Sequence, residues 1–579
     1  MMKCLSRVRF RWLPVGLLPL AFVLPFGCHS GSGPKVKVEP DRPWFADVTD
    51  EVGLNVIHDS GPKGDYFMPQ LTGGGAALLD FDNDGRLDIY LIQGGGPGSH
   101  STNRLLHQNA AGKFEDVSAG SGVDIAGYGQ GVAVGDVNND GWPDILVTEF
   151  GEIRLFLNRH NGTFDNCTKE AGLDNPLWAI SAAFLDYDRD GFLDLVVVNY
   201  VEYNAEKACS HRGIGRDFCG PSAFPGTISK LFRNLGPKAG ADKSSVRYED
   251  TTFTSGLATK AGPGLGVVCA DFDGDGWPDI FIANDGAPNH LWMNQKNGTF
   301  VEEGVLRGIA RNSMGQAEAN MGVAIGDVDG QGDFEIFVTH LSEESHRLWK
   351  QSPRGHFQDQ TGATGLGMPT SHSTGFGTLL ADFDHNGAVD LVLVNGRVRR
   401  DSLVPAATVS EEFWVPYREP NQLYSNAGNS RFINRSNLEP ALCGIPSVWR
   451  GVASGDVDGD GALDLLVTRL DGSVRLYRNV APNRGHWLLV RAMDPLLERD
   501  AYGSEITVSV GETRWTRWLN PAYSYACSND PRAHFGLGSA NHVDSIRVLW
   551  PDGKKEMFSG RRTDQSIVLK KGEGQPATD

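Results

Sequence analysis

The fold class predicted by this sequence is all-β, a ring of seven four-stranded blades followed by a small β-domain, and three observations predict it. An acidic nine-residue pattern, D-x-[DN]-x-[DNQ]-G-x-x-[DE], occurs seven times between residues 80 and 464. Each copy stands between two short apolar runs of the length and composition of buried strands. An aromatic phrase closing near a Gly also occurs seven times, and its first copy precedes the first acidic pattern. The composition agrees: Gly is 72 of 579 residues and the hydrophobic share is 40%, which describes a turn-rich chain able to build a core.

The acidic copies carry the chemistry. Their oxygen-bearing residues are Asp80, Asp82, Asp84 and Asp88, then Asp136, Asn138, Asp140 and Asp144, then Asp186, Asp188, Asp190 and Asp194. Further on come Asp271, Asp273, Asp275 and Asp279, then Asp327, Asp329, Gln331 and Glu335. The last two sets are Asp382, Asp384, Asn386 and Asp390, and Asp456, Asp458, Asp460 and Asp464. Alternating oxygen side chains, a Gly for the sharp bend and a closing carboxylate suit a hard cation that takes six to eight oxygens, so up to seven Ca²⁺ are expected. The fifth copy, with Gln331 and Asp333, is the weakest. An EF-hand is excluded because its twelfth residue must be a carboxylate entering a helix. Here the twelfth residues are Leu91, Val147, Val197, Ile282, Val338, Leu393 and Val467, all inside strand-like runs.

Each loop therefore joins a first strand, such as GVAVG (131–135), to a second, such as DILVT (144–148). A third strand reads like RLFLN (154–158) or RLYRN (475–479), and the aromatic phrases, from Phe114, Phe164, Tyr248, Phe300, Phe357 and Phe432, supply a fourth. Four strands per unit match the blade of a β-propeller. No aromatic phrase follows Asn479, so the seventh blade lacks its fourth strand, and the phrase at Trp44–Thr49 is expected to supply it. That pairing closes the ring and removes two exposed edges. The propeller is assigned to 44–480. Residues 483–572 read as alternating β (WLLVR, EITVSV, TRWTRW, SIRVLW), a small β-sandwich or barrel-like domain.

Residues 1–27 have a signal-peptide layout, with Lys3, Arg7, Arg9 and Arg11 ahead of an apolar stretch and Cys28 at its end. Export is expected, with Cys28 the candidate for lipidation, followed by a tether over 28–43. Cys209 and Cys219 are the one closely spaced pair and a candidate disulfide in an exported chain. A formal charge of −19 argues against nucleic acid. Four N-x-[ST] sequons, at Asn161, Asn166, Asn297 and Asn434, fall partly on a recurring NGTF turn and carry little weight.

The loop repeats resemble the FG-GAP/VCBS repeats of integrin α-chain propellers, with the Phe-Gly and Gly-Ala-Pro landmarks mostly missing. Residues 483–553, through SNDPRAHFGLG (528–538) and RVLWPDG (547–553), resemble the ASPIC/UnbV domain of the cartilage acidic proteins. The resemblance implies an extracellular calcium-binding scaffold and no reaction. The Gly usual in that domain's turn is replaced around Ala522–Ser528, so no role is carried over to the turn. The FGLG run is expected to be a strand and turn without ligand contact.

The long insertions 200–229 in blade three and 396–420 in blade six are placed on the face opposite the acidic loops. They bring Tyr200, Tyr203, His211, Arg212, Arg216, Arg397, Arg399, Arg400, Trp414 and Tyr417, and shorter loops add Trp178 and Trp449. Tyr200, Tyr203, Arg212, Arg216, Arg397, Arg399, Arg400, Trp414 and Tyr417 are the ligand-binding candidates, because interfaces concentrate aromatics and Arg. Asn395-Gly396-Arg397 resembles an Asn-Gly-His motif of the family, with Arg for His. The alternative is that these aromatics keep the insertions ordered. There is no G-x-S-x-G, H-E-x-x-H or Walker-type loop, and no calcium is expected to have an open coordination position facing a cleft. The function read from the sequence is recognition or adhesion of an extracellular protein or polysaccharide, with membrane contact only through the anchor. An enzyme acting on extracellular polysaccharide and an assembly subunit of an envelope complex are the alternatives.

Overall fold

The computed structural model describes residues 42–210, 215–237, 243–400 and 413–577. The signal-peptide layout, Cys28 and most of the tether lie outside the described residues, as do His211 and Arg212. Seven four-stranded antiparallel sheets follow one another in sequence order. In blade one the strands are Ala76–Leu79, Asp88–Leu91, Arg104–Gln108 and Phe114–Asp116, paired in that order. The innermost strands are wholly buried and rich in Gly and Ala, as in Gly129–Gly135 and Trp449–Gly455. The reason is crowding at the axis. A Cβ on Gly377 would stand 2.7 Å from the backbone N of Val452 in the next blade.

The seventh blade is completed from the other end of the ring. Phe45–Asp47 pairs antiparallel with Arg475–Asn479, with Phe45 opposite Asn479 and Asp47 opposite Tyr477. The entering strand is clamped by blade six. Glu439 accepts from the Trp44 N–H at 2.9 Å and the Phe45 N–H at 3.2 Å, and the Arg435 guanidinium lies 3.8 Å over the Trp44 ring. A buried carboxylate fully engaged by N–H donors fixes the strand end that sets the register.

The C-terminal region forms two sheets. One joins Arg499–Asp500, Trp487–Asp494 and Ala533–Gly536, with Gln565–Lys570 added parallel to Trp487–Asp494. The other orders Thr513–Trp518, Glu505–Val510, His542–Leu549, Lys555–Arg562 and Gln575–Pro576. Its core does not stop at the domain edge: Leu488, Val508, Phe535 and Trp550 share one buried apolar cluster with Leu146, Phe184 and Leu195 of blades two and three.

The turn around Ala522–Ser528, to which the sequence assigned no role, enters the central channel of the ring. Ser528 N–H donates to Ala76 O and accepts at its own carbonyl from Leu78 N–H, both at 3.0 Å. Val132 N–H donates to Ala526 O, Val323 exchanges two backbone bonds with Ser524, and Thr378 N–H reaches Ser524 Oγ. Asn520 Nδ2 donates to Phe184 O, and Asn529 Oδ1 accepts from Ser454 N–H. Six inner strands thus use this one segment as a hydrogen-bonding partner, which satisfies backbone groups that a channel would leave to water. Ser524 and Ala526 hold left-handed φ of 81° and 54° to do so, a conformation that costs non-Gly residues energy and persists only where neighbours enforce it.

Candidate metal centres and the opposite face

The seven acidic loops share one construction. The Gly at the sixth position has φ between 87° and 96°, from Gly461 to Gly387, which only Gly adopts freely. That bend turns its N–H back onto the opening carboxylate: Gly85 to Asp80, Gly141 to Asp136, Gly191 to Asp186, Gly276 to Asp271, Gly332 to Asp327, Gly387 to Asp382 and Gly461 to Asp456, at 2.8–3.2 Å. The closing carboxylate bridges the blade. Asp144, for example, accepts from Val137 N–H at one oxygen and from Asn158 N–H, at the end of the third strand, at the other. The Asn158 side chain then donates to Phe81 O in the loop of blade one, at 2.8 Å. Asn234, Asn294, Asn426, Asn479 and Gln108 repeat this staple, each to the loop of the blade before it. Blade five departs: its Gln351 amide bonds within its own blade, to Phe334 O.

The residues fit a cation. Asp80, Asp82 and Asp88 can place one oxygen each within 4.8 Å of one another, and so can Asp186/Asp188/Asp194, Asp271/Asp273/Asp279 and Asp327/Asp329/Glu335. Buried oxygens without a hydrogen-bond partner point into these loops: Asp186 Oδ1, Asp327 Oδ1, Glu335 Oε1 and Asp456 Oδ1. A lone pair left bare in the interior costs free energy that a coordinated cation would offset. Burial pushes Asp88 and Glu335 up to about 8, and Asp136 and Asp382 up to about 7. Neighbouring carboxylates add to that rise, and backbone N–H donors oppose it. Asp144, Asp194, Asp279, Asp390 and Asp464 are raised well above the ordinary value, again chiefly by burial. Groups so reluctant to ionise alone are suited to a bound positive charge. Loop five, the weakest in the sequence, keeps a buried acidic set through the longer Glu335.

The C-terminal domain sits on this face and places guanidinium groups between the loops. Arg499 donates to Asn139 Oδ1 at 2.8 Å and to Gly191 O at 3.1 Å, joining loops two and three. Arg517 is buried beside Asp382 and Asp327, and Arg532, paired with Asp530, stands near Asp456. The FGLG run belongs to this contact: Gly538 N–H donates to His385 O in loop six. Asp384, Asn386 and Asp460 line a groove of about 820 Å³ together with Trp44, His486 and Trp487. The groove exists because the linker at Pro482–Gly485 leaves the ring between blades six and seven, which no local pattern shows.

On the opposite face the insertions of blades three and six meet over the axis. Asp217 is buried and accepts from Tyr417 Oη at 2.6 Å and from Arg400 N–H at 3.0 Å. Phe218 stacks on Trp414 with centroids 6.1 Å apart, and Cys209 and Cys219 form a disulfide. The structure brings the candidate residues together, but as interior. Tyr200, Arg400, Trp414 and Tyr417 are buried, and Tyr200 Oη donates to Asp285 at 2.6 Å. Trp178 and Trp449 are buried too. Trp178 and Tyr200 pack in one apolar cluster of the roof and Trp414 and Tyr417 in another, so they offer no contact surface, whereas Trp449 packs in the core between blades six and seven. Arg216 is exposed, Tyr203 and Arg399 are half-buried, and Arg397 pairs with Glu419 at 2.8 Å. The segment 58–72, which sequence reading passed over, supplies Tyr66, Phe67 and Met68 to the same roof. Its unbroken YFM run is the signal that could have marked it.

Residues 496–576 match the family described as ASPIC and UnbV, and residues 80–147, 136–197 and 271–338 match the FG-GAP-like repeat. The chain carries FG-GAP-like repeats and an ASPIC/UnbV domain. It is 26% identical to Cartilage acidic protein 1 of Mus musculus over 592 aligned residues, covering 96% of this chain and 79% of that protein. The Homo sapiens protein of that name is 26% identical, covering 89% of this chain and 73% of its own. Among solved structures, an Agrocybe aegerita lectin that recognises non-reducing terminal N-acetylglucosamine covers 64% of this chain and 81% of its own, at 15% identity and a TM-score of 0.37. That likeness is too low to say more.

Proposed function

We propose that the protein is an exported, calcium-stabilised scaffold for recognition or adhesion outside the cell, with a protein or polysaccharide ligand and Cys28 as a lipid anchor. The supporting observation is that the C-terminal segment runs along the axis as far as the roof. Tyr525 of the C-terminal segment donates to Thr72 O beneath the roof at 3.0 Å, so binding is left to the outer surfaces of the scaffold. The exposed edge of the roof, with Arg216, Arg399 and Tyr203, is the surface of choice, since loops on a rigid frame are where recognition is built. The acidic loops would hold Ca²⁺ with the carboxylates named above. Bound calcium would supply the positive charge that lets them ionise within the interface to the C-terminal domain.

The test is capture of envelope extract and of purified polysaccharides on the mature chain in calcium and in EDTA. Intact ligand retained in calcium, and lost in the Arg216→Ala/Arg399→Ala variant with unchanged melting temperature, is the expected result. Retention unaffected by that variant would remove the roof from the reading, and cleaved ligand would replace recognition by catalysis.

A further inference from the structure

The acidic loops are not equivalent, and the difference lies on the third strand. One position before its terminal Asn or Gln, that strand turns a side chain toward the loop's third residue. Blades three, five and seven carry a base there. Arg233 pairs with Asp188 at 2.6 Å, Lys350 with Asp329, and Arg478 with Asp458 at 2.8 Å. Blades two, four and six carry Leu157, Met293 and Ser425, which offer the loop no base. Blade one carries His107. Its Nδ1 stands 3.2 Å from Asp88 Oδ1 and 3.4 Å from Asp82 Oδ2. Asp82, Asp84 and His107 can place one donor each within 4.8 Å of one another, and Asp80, Asp82 and Asp88 do the same around a shared Asp82. Three carboxylates, Asp80, Asp82 and Asp88, therefore share this loop with an imidazole nitrogen that reaches two of them, while Asp84 is also paired with the Arg86 guanidinium.

We propose that the loop of blade one is a mixed carboxylate–imidazole site that takes a divalent first-row transition ion, such as manganese, in preference to calcium. The chemistry of the donors carries this. Calcium is a hard cation served by oxygen ligands, so an imidazole contributes little to its binding. A neutral imidazole nitrogen strengthens binding of a transition dication, while the carboxylates still suit manganese within that class. A lysine or arginine at this position adds a competing positive charge, and a leucine adds nothing. The histidine alone adds a ligand. His160 touches loop two differently: it stacks on Trp142 and reaches one carboxylate, Asp140, at 3.0 Å, from an exposed hairpin. It is the internal control.

The inference rests on the reading of the loops as metal sites, and the experiment separates the two. The mature chain is stripped with chelator, equilibrated with Mn²⁺ in a large excess of Ca²⁺, desalted, and assayed for both metals by elemental analysis. One equivalent of manganese beside several of calcium is expected, with a nitrogen coupling in the electron-spin-echo spectrum of the bound Mn²⁺. His107→Leu, which copies the residue of blade two, should lose that equivalent and the nitrogen signal while keeping its calcium. His160→Leu should keep all three. Calcium retained without manganese, or manganese retained without nitrogen coupling in His107→Leu and wild type alike, would overturn the proposal and leave the calcium loops standing. Neither metal retained would overturn both.

Discussion

The two ends of the ring are closed by opposite means. On the loop face, the C-terminal domain is held by charge and by backbone hydrogen bonds, with Arg499, Arg517 and Arg532 set among carboxylates and Ser524–Ser528 strung across the inner strands. On the other face, insertions of two distant blades close over aromatic stacking, one disulfide and one buried aspartate. The loop-face closure adds charge contacts, which depend on what neutralises the loops, to the apolar core it shares with blades two and three, whereas the roof carries no acidic loop. Solution conditions that leave the roof untouched should therefore undo the base.

The most severe break removes the ring closure common to both faces. Deleting residues 44–54 takes away the strand paired with Arg475–Asn479 and the amides held by Glu439. The expected outcome is loss of the cooperative melting transition of the whole chain, with no residual six-bladed core visible by calorimetry.

Chelation separates the faces. The opening and closing carboxylates of the loops have folded pKa values raised above their unfolded ones, chiefly by burial, to about 6 at Asp186 and about 8 at Asp88. The folded state therefore binds more protons than the unfolded state between about pH 4 and pH 8. In EDTA the melting temperature should rise as the pH falls from 8 to 6. In excess calcium the same step should lower it, because protons then compete with bound metal. Buried neutral histidines such as His58 and His290, held down to about 4 by burial, act in the acid-destabilising direction in both buffers. The difference between the two slopes isolates the loops, and equal slopes would contradict the metal reading.

Two point substitutions sharpen the contrast at smaller amplitude. Arg517→Met removes a buried cation that faces Asp327 and Asp382 and should cost about 3 kcal/mol by chemical denaturation, more in EDTA than in calcium. Tyr417→Phe removes the hydroxyl that Asp217 accepts and should cost about 1 kcal/mol, equally in both buffers. A calcium-dependent cost at Tyr417 would mean that the two faces are coupled through the axis.

How far the sequence could be read depends on the range of the interaction. The loops could be read because their ligands lie within nine residues and the bend needs Gly at one position, as at Gly85 and Gly387. The closure of blade seven by Phe45–Asp47 could be read because seven aromatic phrases over seven loops leave one out of phase. His107 was missed because its relation to Asp82 and Asp88 runs through strand pairing and not through spacing. Tyr200, Trp414 and Tyr417 follow the ordering alternative and are interior, because composition alone does not distinguish a ring facing solvent from one facing another insertion. Trp414 meets Phe218 across nearly two hundred residues.

The repeat, the acidic loops, the order of strands within each blade and the strand that closes the ring are all legible before folding. All of these follow from local spacing, backbone geometry and the need to hide sheet edges. What enters the axis and which side chains are left outside follow instead from the closed ring. Tyr525 reaches Thr72 across 453 residues of chain, and that bond exists only once seven blades have closed around the segment that carries it. Contacts of this kind are selected by the shape of the finished ring and by the backbone groups it would otherwise leave unpaired.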